Sequence, residues 1–119
     1  MITRYEKIKP YTTKDGSIIR ELMHPDQHGS RAQSLAEAVI PAGSETFMHK
    51  HMKTEEIYHI TQGRGIMFLG KDTFEVVAGD TILIAPGRLH RIRNNGEADL
   101  KVLCCCSPPY SHDDTVIMT

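Results

Sequence analysis

Between Ser17 and Ser107 the chain is a succession of short strand-like runs, most of them separated by Gly, Pro, Asn or Asp. The runs are "SIIREL", "QSLAEAVI", "TFMHKHM", "EIYHITQG", "GIMFLG", "TFEVVAG", "DTILIAPG", "LHRIRN" and "DLKVLCCCS". No stretch carries convincing helical periodicity, and "HPDQHGSRA" after the first run reads as a loop. Strands this short, with a turn roughly every 8 to 12 residues, predict an all-β chain folded as a sandwich or small barrel. The 119 residues read as a single domain, 1–119, large enough to bury a core without disulfides. Only about ten residues at each end look like tails. The last of them, "SPPYSHDDT", is stiffened by proline and is expected to drape over the barrel or over a neighbouring subunit.

Charge narrows the partners. Fourteen basic residues against fifteen acidic ones leave a net charge of -1, with no long run of either sign. That balance gives no electrostatic footprint for nucleic acid or an anionic membrane, so a small molecule or another protein is the expected partner. The start "MITRYEKIKPY" is charged and has no apolar core of a signal peptide, and no window approaches a membrane span. The three cysteines, Cys104, Cys105 and Cys106, are contiguous, a geometry poorly suited to a disulfide. Reduced thiols and a cytoplasmic location are expected.

In a strand, alternate side chains share a face. His49 and His51 therefore point the same way, roughly 6.6 to 7 Å apart. In "EIYHITQG" the same alternation puts Glu56, Tyr58 and Ile60 on one face and Ile57, His59 and Thr61 on the other. In "LHRIRN" it puts His90 beside Ile92, with Arg91 and Arg93 turned away. If the apolar faces are inward, three imidazoles and one carboxylate enter the interior while His59 stays outside. Burying those groups is costly unless something neutralises and organises them, and a divalent metal does so. Neutral imidazoles with one carboxylate suit Mn, Fe, Co, Ni, Cu or Zn, which predicts one divalent transition metal per chain, its identity open.

The same residues resemble the two motifs of the cupin family. "GSETFMHKHMKTEEIYHITQG" has Gly43, His49, His51, Glu56 and Gly63 at the spacing of the first motif, with five, one, four and six residues between successive members. "GDTILIAPGRLHRIRN" resembles the second, through Gly79, Pro86, Gly87, His90 and Asn94. The 15 residues between Gly63 and Gly79 resemble the shortest spacing of single-domain cupins. Ala85 departs from the pattern at a position where the family often has a second proline, which touches a turn and leaves the four ligand positions intact. The resemblance implies a double-stranded β-helix, or jelly-roll, barrel with its core at about 33–106. It also implies a metal held by His49, His51, Glu56 and His90. Small cupins commonly pair through their sheets, so a homodimer is expected as well.

Other residues carry weaker signals. Tyr58, on the Glu56 face, is a candidate proton donor, although a core tyrosine has the same signature. Glu37 or Gln33 would line the cavity mouth, and Arg20 and Arg31 would grip an anionic substrate. His24, His28 and His112 sit in Pro-, Gly- or Asp-rich loops and read as solvated. One or two of the cysteines face inward, as small apolar groups or as thiols near the metal. Two function classes survive. One is a metal-dependent enzyme on a small oxygenated substrate, similar either to mannose-6-phosphate isomerase and related sugar-modifying cupins or to Fe-dependent dioxygenase cupins. The other is a metal-dependent binding module that turns nothing over.

Overall fold

The computed structural model describes residues 1–118. Its elements in chain order are β1 (Tyr11–Thr12), β2 (Ile18–Met23), β3 (Ser34–Ile40), β4 (His49–His51), β5 (Glu55–Gln62), β6 (Arg64–Leu69), β7 (Asp72–Val77), β8 (Thr81–Ile84), β9 (His90–Arg93), β10 (Leu100–Ser107) and β11 (Thr115–Ile117). A single 3-10 turn, Tyr5–Lys7, precedes them. The strands form two antiparallel sheets in the orders β1-β2-β3-β10-β5-β8 and β11-β4-β9-β6-β7. This is the double-stranded β-helix, with the inner faces of the two sheets enclosing one core.

Alternation decides what that core contains. Glu56, Tyr58 and Ile60 of β5 are buried, as are Leu100, Val102, Cys104 and Cys106 of β10, while the residues between them are more exposed. Ile60, Met67, Ile84, Ile92, Leu100 and Val102 are almost completely enclosed. Each such side chain contributes about 1.5–3 kcal/mol of burial. Gly63 shows why the β5–β6 turn needs glycine. Its φ is +85°, and a Cβ there would lie 2.9 Å from the Asp99 carbonyl oxygen, so any side chain meets both strain and backbone.

Three expectations are corrected. The run "TFMHKHM" is a strand only at His49–His51, because the Phe47 amide donates to the Asp15 carbonyl of the β1–β2 turn rather than to a neighbouring strand. The C-terminal tail lies on the barrel of its own chain, Thr115–Ile117 pairing with the histidine strand, and Tyr11–Thr12, just past the N-terminal tail, pairs with β2. His24 is buried rather than solvated, its Nε2 lying 2.7 Å from the Tyr110 carbonyl. His28 and His112 are more open. Glu37 faces away from the cavity, hydrogen-bonded by Tyr5 and close to Arg20, and Gln33 is exposed.

Candidate metal centre

Strand pairing builds the site. β4 and β9 run antiparallel with His49 opposite His90, so two imidazoles from distant motifs meet on the inner face, their ring centroids 4.1 Å apart. His51, two residues along β4, adds a third ring at 5.2 and 5.4 Å from the other two. One nitrogen from each histidine lies within 4.8 Å of the others, and all three residues are buried. Glu56 enters from the facing sheet. Its Oε1 stands 3.1 Å from His51 Nε2 and 3.6 Å from His90 Nε2.

The second nitrogen of each ring fixes which tautomer is present. His49 Nδ1 lies 2.8 Å from the Phe47 carbonyl and His90 Nδ1 lies 2.9 Å from the Arg88 carbonyl. A carbonyl only accepts, so both Nδ1 atoms carry the proton and both Nε2 atoms keep a free lone pair. His51 Nδ1 lies 2.9 Å from Thr115 Oγ1, and that hydroxyl donates to the Ser111 carbonyl. Thr115 therefore accepts from His51, whose Nε2 is free as well. Glu56 Oε1 and His90 Nε2 are buried without a hydrogen-bond partner. Three lone pairs and an orphaned carboxylate oxygen converging in a buried pocket suit a divalent transition ion, so these residues fit a metal.

Electrostatics favour the unprotonated ring at His49. Burial first, then the charge of His90, lowers His49 to about 4. Burial alone would raise the Glu56 carboxyl, but in the metal-free protein hydrogen bonds and positive charge from His51 and His90, whenever their Nε2 atoms carry protons, outweigh it and hold it at about 2. Glu56 Oε2 accepts the Cys106 thiol at 3.3 Å. Burial and the Glu56 charge push that thiol far up its range, so it stays a donor and orients the carboxylate. Tyr58 is buried with its ring 5.9 Å from that of His90. Burial, then Glu56, raises its pKa well above the usual value, so its hydroxyl keeps its proton. His59 lies on the opposite face, 2.8 Å from Thr81 Oγ1.

Two further carboxylates come from residues outside the sequence-predicted set. Asp15, in the β1–β2 turn, places Oδ2 3.5 Å from His49 Nε2 while its Oδ1 accepts from the amide and hydroxyl of Ser17. Glu21, on β2, lines the same cavity. The only local cue to Asp15 is "KDGS" as a turn, and nothing in the sequence says that this turn folds over a histidine far along the chain, whereas Glu21 shares the alternating inner face of Ile19 in "SIIREL". Arg20 lines neither this cavity nor the cleft outside it, and Arg31 lines only that outer cleft, which shares Tyr11, Glu21 and Tyr110 with the cavity.

Residues 36–106 match the protein family described as the cupin domain. An uncharacterized protein of Methanocaldococcus jannaschii is 59% identical over 116 residues, which span 98% of this chain and 93% of that protein. The oxalate-binding protein of Thermotoga maritima is 33% identical over 84 residues, 71% of this chain and 65% of the relative. A solved Thermotoga maritima structure described as a predicted oxalate decarboxylase superposes with a TM-score of 0.78, at 27% identity, over 90% of this chain and 98% of its own.

Proposed function

The chain belongs to the cupin family, and from that premise we propose that it is a metal-dependent enzyme acting on a small hydroxycarbonyl substrate of the sugar type. His49, His51, His90 and Glu56 would hold one divalent ion. A bound ion there supplies Lewis acidity toward a carbonyl or hydroxyl oxygen. The observation that carries the reading is the convergence of three Nε2 lone pairs and the unpartnered Glu56 Oε1. The remaining steps belong to side chains. Asp15 presents a carboxylate oxygen at the rim of the centre, placed to accept a proton from bound substrate. Tyr58 retains its hydroxyl proton and is the candidate donor on the other side. Ile40, Ile92 and Val102 line the cavity and exclude bulk water.

A second reading is a binding module without turnover, favoured by the similarity to the oxalate-binding protein of Thermotoga maritima. The two separate in one set of assays. Protein loaded in turn with Mn, Zn, Ni or Fe is incubated with small aldoses and ketoses in D₂O and followed by NMR, with O₂ uptake recorded in parallel. Metal-dependent exchange of the carbon-bound proton is expected. O₂ consumption by the Fe form alone would move the assignment to a dioxygenase, and ligand binding with neither reaction would establish the binding module.

A further inference from the structure

The cavity beside the metal centre is lined by three carboxylates, Asp15, Glu21 and Glu56, and by no lysine, arginine, asparagine or glutamine. Glu21 is the informative one. It is 5% exposed, and its Oε1 accepts the Tyr11 hydroxyl at 2.8 Å, but its Oε2 is buried with no partner at all. Strand register explains the aim: Glu21 pairs with Ala36, Ala36 with Cys104, and Cys104 with Tyr58, so all four side chains face the interior in one row across the sheet. A register shift between Glu21 and Met23 follows, the kind of irregularity that turns a strand and re-aims its side chains. An orphaned acceptor in an enclosed space is costly unless a donor arrives.

We infer that this cavity takes a small molecule bearing hydroxyl or ammonium donors, one of which Glu21 Oε2 accepts, and that it rejects dicarboxylates and phosphates. The inference narrows the substrate class of the function proposed above and shares its metal centre. The wall also carries hydroxyl donors, Tyr58 among them, but a dicarboxylate adds two charges to a space where three carboxylates already outnumber the two charges of a divalent ion. Like charges brought together in a buried site repel strongly. Size points the same way. The cavity leaves about 40 Å³ to the centres of water-sized molecules, and one water needs roughly 10–15 Å³ of such space. A diol or amino alcohol of a few heavy atoms fits that room, while a larger molecule would extend past Tyr11, Glu21 and Tyr110 into the wider outer cleft.

The test is an NMR titration of zinc-loaded wild-type protein and Glu21→Gln with four probes: ethylene glycol, 2-aminoethanol, oxalate and inorganic phosphate. Zinc content is measured on both proteins beforehand. For the wild type, 2-aminoethanol is expected to bind at least tenfold more tightly than oxalate or phosphate, a comparison that needs no variant. Glu21→Gln should weaken 2-aminoethanol at least tenfold and tighten oxalate by a similar factor. Tighter oxalate than 2-aminoethanol in the wild type, or unchanged affinities in the variant, overturns the inference. Failure to take up zinc counts instead against the metal centre, and the same titrations on metal-free protein then decide the role of Glu21 by the same contrast.

Discussion

His51 and His59 sit on consecutive strands of opposite sheets, yet only His51 has its ring in the interior. His51→Ala is expected to lose most bound metal and His59→Ala to keep it, as read by elemental analysis of protein purified under one protocol. Equal losses would contradict the assignment of faces. The buried imidazoles also set a pH dependence in the metal-free protein. His49 is held at about 4 against an ordinary 6.5, so from about pH 6.5 downward the unfolded chain takes up a proton that the folded one refuses. Stability is therefore complete above that pH and falls as pH drops toward 4, by on the order of 3 kcal/mol. Glu56, held at about 2 against 4.5, adds a loss in the same direction below about pH 4.5. Urea midpoints of metal-free protein should be level above pH 6.5 and decline below it. A midpoint that stayed level down to pH 4.5 would show that His49 is not held neutral by its surroundings.

β11 is a three-residue strand with a function out of proportion to its length. It pairs with β4 and delivers Thr115 opposite His51, where the hydroxyl fixes the ring's tautomer. Outer partners of this kind are worth about 10–100-fold in metal affinity. Thr115→Val should therefore weaken zinc by about that factor in chelator competition, while Thr115→Ser, which keeps the hydroxyl, should stay near wild type. An affinity loss shared equally by both would point to packing of the methyl group instead. β11 also marks the limit of sequence legibility. The faces of β5, β9 and β10 followed from alternation, because a period of two is local and the apolar partners name the inner side. Thr115 and Asp15 were not legible, because each meets its histidine only after the chain has closed on itself. Thr115 and His51 are 64 residues apart. "TVI" is too short, and too close to the chain end, for a periodicity to declare itself.

At the scale of the molecule, the N-terminal segment covers only the β2–β3 end of the outer face of the six-stranded sheet, where Tyr5 meets Glu37 and Arg20, and leaves an apolar row exposed. Leu35, Cys105, Ile57 and Leu83 lie opposite one another across β3, β10, β5 and β8, forming an apolar row transverse to the strands. Leu83 is 60% exposed and Leu35 and Ile57 are over a third exposed. The C-terminal tail does not cover this row, since β11 is engaged on the opposite sheet. A contiguous apolar patch on a sheet favours association, and the simplest closed way to bury it is a two-fold pair in which each copy covers the other's row. We therefore expect a homodimer through the six-stranded sheets. Light scattering at low micromolar concentration should give about twice the 13.4 kDa of one chain. Leu83→Lys puts a charge at the most exposed position of the row, where it faces solvent in the isolated chain and a second apolar row in the pair. It should return the mass to that of one chain while leaving the circular dichroism of the folded barrel and the zinc content unchanged. A wild-type mass near 13.4 kDa would mean that the row stays in solvent and that the barrel works as a monomer.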